Sequence, residues 1–214
     1  MVELDKFIKI FEGLTSAYGQ TVKTDQFSEK GKHKTKSFTI SNPVTKKLWR
    51  EHLEGKDPAL GIVPINKENK CKWGCIDIDT YPFDHKKFIQ KLKQKNIPII
   101  VCRSKSGGAH AFLFTKDFVP ATVMRVKLKL IASALGFAGV EIFPKQDYIR
   151  TDRGDTGSFL NLPYHANERT VRYAYGLDGN VLTLQQFFEL HEKISLTIEE
   201  LNELKIENKE EEKE

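Results

Sequence analysis

The segment that most constrains the fold is Trp73-Gly74-Cys75-Ile76-Asp77-Ile78-Asp79, which ends in alternating apolar and acidic side chains. Because successive side chains of a β-strand point to opposite faces, a strand here places Asp77 and Asp79 on one face. With Cα atoms roughly 6 to 7 Å apart, the two carboxylates repel each other unless a cation lies between them. Such oxygen ligands favour a hard divalent ion, Mg²⁺ or Mn²⁺. An isolated Asp-x-Asp is more often the water-facing side of a half-buried strand, so the surrounding segments must decide.

The surrounding segments predict the order strand, helix, strand, strand, helix, strand. Periods of two predict strands over 73–79, 97–103, 109–115 and 140–143, and helical spacing predicts helices over 83–95 and 120–135. This βαββαβ order is typical of the RRM-like, or ferredoxin-like, α+β fold. Its strands lie in the spatial order fourth, first, third, second, with both helices on one face. The carboxylates of the central first strand then meet His110 and Glu141, at the starts of the third and fourth strands, at one corner of the open face.

Shorter elements are predicted on both sides of this core. On the N-terminal side they are a helix over 4–18, a polar and basic loop over 19–36, strands over 37–40 and 60–64, and a helix from Pro43 to about Leu53. On the C-terminal side they are strands over 158–163 and 171–175, a helix over 182–194, and a short helix that Thr197 and Glu200 begin as a capping box. We therefore expect one domain over 1–206 and an acidic, disordered tail or linker over 207–214.

The composition is that of an ordinary globular domain, with 39% hydrophobic and 29% charged residues among 214. No apolar run is long enough to cross a membrane, and the N-terminus lacks a secretory signal pattern, which predicts a cytoplasmic protein. Cys71, Cys75 and Cys102 cannot all pair, so reduced, buried thiols are expected rather than a disulfide framework. Cys71 and Cys75 also lack the second Cys/His pair of a zinc site.

Charge is unevenly distributed along the chain. The net charge of +5 combines a basic run before residue 37 with the acidic tail. A basic body fits a polyanionic partner, although lysine runs are commonly plain solvated surface. The basic run consists of Lys30, Lys32, His33, Lys34 and Lys36.

A glycine-rich segment over 104–110 is the second group of residues with recognisable chemistry. Glycines allow backbone N–H groups to approach an anion closely, and the neighbouring lysine, serine and histidine can donate hydrogen bonds to phosphate oxygens. The alternative is a hairpin turn with an incidental histidine. The candidates for nucleotide binding are Lys105, Ser106, Gly107, Gly108 and His110.

The fourth predicted strand carries a third acidic candidate, Glu141. With Asp77 and Asp79 it would complete a three-carboxylate cage for one or two divalent ions, able to bind a nucleoside triphosphate and activate a hydroxyl. The alternative is a solvent-facing strand residue, since apolar residues flank it. Lys145 follows in a loop and is a candidate phosphate contact, although loop lysines are commonly solvated.

Other cations and aromatics are weaker candidates. Phe112 and Phe114 share a face with His110 and could stack bases, but phenylalanines in a strand are more often core. The remaining candidates for phosphate or template contact are the basic loop, Arg125, Lys129, Arg150, Arg153, Arg169 and Arg172.

Three motifs in this order resemble those of the archaeo-eukaryotic primase, or primase-polymerase, superfamily. They are Ile76-Asp77-Ile78-Asp79, Ser106-Gly107-Gly108-Ala109-His110 and Val140-Glu141-Ile142-Phe143-Pro144. Residues over 52–55, 61–62, 143–147 and 161–163 are similar to the branch found in mobile elements, TOTE conflict systems and CRISPR-associated loci. Each motif is short, so the order and spacing over 48–163 carry the resemblance.

The resemblance implies a DNA primase or polymerase that joins nucleoside triphosphates on a single-stranded DNA template. Asp77, Asp79 and Glu141 would bind Mg²⁺ or Mn²⁺ and, with His110, form the catalytic set. Ser106 and His110 would bind the triphosphate of the incoming nucleotide. The resemblance also implies work with a replicative helicase domain or protein, in a bacterial, archaeal or phage-encoded system.

Two departures from the family pattern leave alternatives open. In TOTE-type relatives the third acid sits where this chain has Val140, and the zinc-binding segment of many relatives is missing. One alternative is a non-catalytic module that binds single-stranded nucleic acid during replication. The other is a metal-dependent nuclease that uses the same carboxylates. The serine-to-histidine segment favours triphosphate binding over both.

Overall fold

The computed structural model describes residues 2–27 and 33–206. Its α-helices are α1 Val2–Phe11, α2 Lys46–Glu54, α3 His85–Gln94, α4 Ala121–Ala134, α5 Leu184–Ile194 and α6 Ile198–Glu203. Its strands are β1 Tyr18–Phe27, β2 His33–Ile40, β3 Leu60–Ile62, β4 Lys70–Ile78, β5 Ile99–Arg103, β6 Ala109–Pro120, β7 Glu141–Phe143 and β8 Leu160–Asn161. These strands form two antiparallel sheets, ordered β2-β1-β3-β8 and β5-β6-β4-β7.

The second sheet is the predicted RRM-like core, and its strand order confirms the βαββαβ prediction. β4 is central and pairs with β6 and β7. The register sets Asp77 opposite both His110 and Glu141, so the three segments meet as predicted. Helix α4 packs on the helical face close to β4, because Gly74 has no Cβ. A Cβ there would lie 2.5 Å from Leu128 Cδ1.

The other face of this sheet is covered, so the expectation of an open face is wrong. Phe112 and Phe114 lie with their ring centroids 5.6 and 5.7 Å from the ring of Phe11 in α1. Phe187 of α5 stacks on Phe11 at 5.9 Å. Together with the apolar residues of β3 and β8 these rings form an aromatic core between the two sheets. Phe112 and Phe114 are therefore core residues and not a base-stacking surface.

The segment over 19–36 was expected to be a loop, and this prediction is wrong because β1 and β2 form a long hairpin. The β-branched residues of this segment favour a strand. The segment nevertheless lacks the alternation of apolar and polar residues that identifies a strand, because both of its faces carry polar side chains. β1 pairs with β3 only at Gly19 and Gln20, so residues 21–27 and 33–37 extend beyond the sheet as a two-stranded ribbon. Gly19 is required at its base, since a Cβ there would lie 1.9 Å from Phe159 Cγ. Lys30, Lys32 and the tail over 207–214 lie outside the described residues.

Smaller differences concern where elements begin and end. Helix α2 begins after Thr45 rather than at Pro43, because the Thr45 hydroxyl caps the helix by accepting the Leu48 N–H. The strand expected over 158–163 is only Leu160–Asn161. The one expected over 171–175 is reduced to two isolated bridges, from Ala174 to Cys102 of β5 and from Tyr175 to Val181. The capping box of Thr197 and Glu200 is confirmed.

The three cysteines are free and buried, as predicted. Burial raises the pKa of Cys71 to about 12 and also raises those of Cys75 and Cys102, so the thiols stay protonated. Among the helices that the structure describes, none is long and apolar enough to cross a membrane.

His52 joins α2, the start of β3 and the segment that follows β8 through a neutral imidazole. It is 1% exposed. Its Nδ1 accepts the Leu60 N–H at 3.1 Å, which requires the ring proton to sit on Nε2 and to be donated to Pro163 O at 2.8 Å. Burial lowers the pKa of His52 to about 3 from its ordinary 6.5. The native fold therefore keeps this histidine neutral where the unfolded chain protonates it.

His52 is expected to make the fold sensitive to mild acid. Between about pH 6.5 and 3 the unfolded state binds one more proton at this site than the native state, so stability falls as the pH falls. One proton corresponds to about 1.4 kcal/mol per pH unit. Chemical denaturation at pH 5 and pH 6 should show that His52→Gln has a shallower pH dependence than the unmodified chain by about that amount. His85→Gln, a variant of a half-buried histidine, is the control, and equal slopes for both variants would contradict the assignment.

The aromatic core predicts which phenylalanines the fold depends on. Phe11 is fully buried among Trp73, Phe112, Phe114 and Phe187. Phe11→Ala should lower the free energy of unfolding by about 3–5 kcal/mol, because it leaves a cavity where four rings meet. Phe38→Ala, at a ring that is 40% exposed, should cost less than about 1 kcal/mol. Urea denaturation measures both, and similar losses would argue against the proposed core.

Candidate active site

A cleft of about 610 Å³ lies between the two sheets, and most of the predicted site residues line it. One wall comes from β4, β6 and the turn between β5 and β6, and the other from β1, β2 and β8. Its lining residues are Thr21, Lys23, Thr35, Ser37, Asp77, Asp79, Ser104, Lys105, Ser106, His110, Asn161 and Arg172.

The acidic end of the cleft is formed by Asp77 and Asp79. Asp77 lies one residue before the end of β4 in a half-buried position, and its Oδ1 is buried without a hydrogen bond from the residues that the structure describes. The Nε2 atom of His110, the cross-strand partner of Asp77, lies 3.4 Å from that oxygen. Asp79 follows the strand and is exposed. An unpaired buried carboxylate oxygen is costly, so a ligand that supplies positive charge would be stabilised here.

Tyr81 links the two predicted motifs and was not found from the sequence. Its hydroxyl lies 2.8 Å from Asp79 Oδ1 and 2.9 Å from Ser106 Oγ. Tyr81 thereby holds the acidic end of β4 against the glycine-rich turn. The sequence carries little signal for this role, because a tyrosine after a strand is an ordinary surface residue.

The glycine-rich turn packs tightly against the end of β4. The Ser104 N–H donates to Gly108 O at 2.9 Å, which closes the turn and leaves the intervening residues facing the cleft. Gly107 has φ 100°, a conformation that favours glycine. A Cβ at Gly108 would lie 2.3 Å from Ile78 O, so only glycine allows the turn to approach β4 this closely. Ser104 Oγ is buried without a hydrogen-bond partner in the described residues.

The basic end of the cleft is built around Arg172. This side chain is buried at 8% exposure, and its Nη1 donates only to Leu162 O at 3.4 Å among the described residues. None of the ion pairs within residues 2–27 and 33–206 includes it. Burial lowers the pKa of Lys105, and the charges of Arg172 and Lys23 lower it further. Three cations thus gather without a bonded carboxylate, which suits a polyanion.

The opposite wall carries a chain of polar side chains that was missed because β1 had been expected to be loop. Asn161 Nδ2 donates to Thr21 Oγ1 at 3.1 Å, and Thr21 Oγ1 lies 3.1 Å from Ser37 Oγ. These groups face the carboxylates and the glycine-rich turn across the cleft. They provide uncharged donors and acceptors for a bound molecule.

Glu141 and Lys145 lie beside the cleft without lining it. Glu141 is directly opposite Asp77 in the sheet, but its carboxylate is exposed and accepts a hydrogen bond from Lys145 Nζ at 2.8 Å. Lys145 also lies over the Phe143 ring. The described residues contain no group of three or more His, Cys, Asp or Glu side chains arranged for a metal ion. The role of Glu141 as third ligand and the phosphate contact of Lys145 therefore stay predictions.

The arginines predicted as weaker candidates separate into different environments. Only Arg172 of that set is among the residues that line the cleft. Arg125 forms an ion pair with Asp147, which occupies its guanidinium. Arg169 donates to Glu54 O at 3.4 Å on the surface. The sequence had no means of ranking them, because their distances from the cleft depend on loop paths.

Comparison with known proteins adds one match over nearly the whole chain. The family model of the archaeo-eukaryotic primase domain of TOTE conflict systems matches residues 7–204. No curated protein sequence matches. Among solved structures, similarity extends to "Crystal structure of the catalytic domain of primase Repb' in complex with initiator DNA", with 8% identity and a TM-score of 0.40. That alignment covers 90% of this chain and 95% of the other.

The basic end of the cleft is expected to bind inorganic tripolyphosphate without a divalent ion. Bound anion should raise the melting temperature, because it binds only the folded state. Lys105→Gln should weaken the apparent affinity about tenfold, since a hydrogen bond to a charged group contributes about 1.5–3 kcal/mol. Lys87→Gln, an exposed lysine of α3, is the matched control. Equal shifts of the melting temperature in both variants would exclude Lys105 from the anion site.

Proposed function

The chain belongs to the archaeo-eukaryotic primase domain family of TOTE conflict systems, and we propose that it is a nucleotidyltransferase that builds DNA strands from nucleoside triphosphates on a single-stranded template. One observation carries the proposal: a carboxylate pair, Asp77 and Asp79, and three cations, Lys23, Lys105 and Arg172, line the same cleft. A nucleoside triphosphate bound to divalent ions matches both groups. A replicative helicase, as a separate protein or a further domain, is the partner we expect.

Asp77 and Asp79 are the residues that would hold Mg²⁺ or Mn²⁺. The fit rests on the donor set, because hard cations prefer carboxylate oxygens and Asp77 Oδ1 has no hydrogen bond within residues 2–27 and 33–206. Two such ions, when bound, lower the pKa of an attacking 3′-hydroxyl and neutralise the triphosphate and the leaving pyrophosphate. Glu141 joins them only if its ion pair with Lys145 opens.

The cations and the glycine-rich turn would bind the triphosphate. Arg172 is buried, and its guanidinium donates to Leu162 O. Because the side chain is already held in place, its remaining N–H groups could bind a phosphate with little further loss of side-chain entropy. Lys105 adds a flexible positive charge beside it. Ser106 is positioned through the hydroxyl of Tyr81. These groups fix the phosphates relative to the carboxylates, which is the main contribution a protein makes to this class of reaction.

His110 lines the cleft beside the carboxylate pair. Its Nε2 is 3.4 Å from Asp77 Oδ1, and its ring packs edge-on against Phe112 at 6.0 Å. The sheet and this contact hold the imidazole in one orientation. Nε2 is therefore preorganised to donate a hydrogen bond to a phosphate oxygen. His110 would thus position the reacting phosphate close to the carboxylate pair.

The proposal predicts template-directed incorporation that depends on the aspartates. The assay combines single-stranded template, labelled nucleotides and Mg²⁺ or Mn²⁺, with and without primer. Asp77→Asn/Asp79→Asn should lower the rate on the order of a thousandfold, because several kcal/mol of charge stabilisation is lost. Asp152→Asn, at an exposed aspartate outside the cleft, should leave the rate unchanged. Glu141→Gln reports on the third carboxylate in the same assay.

The same experiment separates the proposal from its alternatives. If the unmodified chain makes no elongated or newly primed DNA under any of these conditions, the proposed polymerase activity is contradicted. If template binding persists in the aspartate variant without incorporation by either protein, the chain is a non-catalytic binding module. Cleavage of the template with a divalent ion and no nucleotides would instead identify a nuclease.

A further inference from the structure

We propose that the outer face of the β1–β2 ribbon binds single-stranded nucleic acid through Lys34, Lys36 and Phe38. That the bound strand is the template rests on the proposed function, whereas the binding surface itself does not. The surface lies apart from the residues that line the cleft and is defined by the alternation of side chains on β1 and β2.

The ribbon has two different faces. Thr21 pairs with Ser37 and Lys23 pairs with Thr35, and all four side chains line the cleft. The alternate residues therefore point away from the cleft. At its base this face is covered, because Tyr18 is buried in the aromatic core and Ile40 packs against that core. Beyond the base the outer face carries Gln20, Val22, Lys34, Lys36 and Phe38.

The charge of the outer face is positive and uncompensated within the ribbon. Lys34 and Lys36 are exposed, and no aspartate or glutamate lies among the residues of β1 and β2 that pair in regular register, 18–23 and 35–40. Glu51 of α2 lines a small pocket with Gln20 at the base of the ribbon. Its carboxylate lies 3.8 Å from Lys47 and 3.9 Å from Lys56, so it is already neutralised. The face complements a chain of phosphates.

Phe38 adds an exposed ring to this positive face. It is 40% exposed, and Lys36 Nζ lies 5.1 Å from its ring centroid. Phe38 pairs with Gln20 at the base of the ribbon, on the edge strand of the first sheet, so one side of its ring stays open to a ligand. An aromatic ring beside lysines is the combination that binds unpaired bases by stacking while the lysines contact the backbone.

A single strand fits these residues better than a duplex. A duplex buries the faces of its bases inside the stack, so the Phe38 ring would find none to stack on. A single strand offers a base face and a phosphate at each nucleotide. Because the inner face of the same ribbon lines the cleft, a strand held on the outer face lies at the edge of the proposed nucleotide site.

The test measures binding of a labelled oligodeoxythymidylate of about 20 nucleotides by fluorescence anisotropy, without divalent ions or nucleotides. Lys34→Gln/Lys36→Gln should lower the affinity about tenfold and reduce the slope of log K against log salt by about 1.4, or 0.7 per lost contact. Phe38→Leu should lower the affinity about fivefold, whereas Phe38→Trp should preserve it. Lys87→Gln/Lys93→Gln on α3 is the control with the same charge change.

Each result of these measurements either supports or contradicts the proposed binding surface. Equal binding by the ribbon and α3 variants would overturn it, since the lysines would then act only through net charge. Equal binding by Phe38→Leu and Phe38→Trp would exclude stacking. Thermal unfolding of each variant shows that it is folded. Because no nucleotide is present, a chain that fails to incorporate nucleotides can still bind through the ribbon, so the two proposals fail separately.

Discussion

The aromatic contact between α1 and the central sheet determines how the two sheets pack and where the cleft lies. Phe11 touches Trp73, Phe112, Phe114 and Phe187, and so fastens α1, β4, β6 and α5 together. This core covers the sheet face that an RRM-like module would otherwise leave open to ligands. The cleft begins at the edge of this core. Asp77 and His110 line it, and each lies two residues along its strand from a core residue, Cys75 in β4 and Phe112 in β6. Packing therefore sets both the distance between the sheets and the place of the site.

The βαββαβ core could be predicted from the sequence because its elements obey simple periods. Strands β4 to β6 alternate or are continuously apolar, and α3 and α4 repeat apolar residues at helical spacing, so local patterns and global topology agree. The first sheet could not be predicted in the same way. Its hairpin is polar on both faces, and no period-two apolar pattern exists where neither face is buried. The covering of the central sheet also escaped prediction, since it depends on long-range packing of α1 and α5.

The candidate site was predictable to the extent that it lies on the core. Asp77, Asp79, Ser106 and His110 occupy strand ends and the turn between two predicted strands, and topology alone brings them together. Tyr81, Thr21, Ser37 and Asn161 could not be found, because their roles come from loop paths and from the hairpin. Glu141 shows the limit of a topological argument. The register places its backbone opposite Asp77, yet the side chain pairs with Lys145 instead.

The hydroxyl of Tyr81 lies within hydrogen-bonding distance of Asp79 and Ser106 but carries a single proton. It can donate to one of them at a time. Any cation that binds the Asp79 oxygen competes with that proton for the oxygen and leaves the phenol free to donate to Ser106. Occupancy at the carboxylates and orientation of the serine are therefore thermodynamically linked, and by reciprocity a ligand that orders the serine changes the affinity of the carboxylates by the same factor. If the cleft takes a cation and a phosphate as proposed, this single hydroxyl couples the two binding steps. The order in which the two ligands bind then leaves the total free energy unchanged and alters only which step is tight.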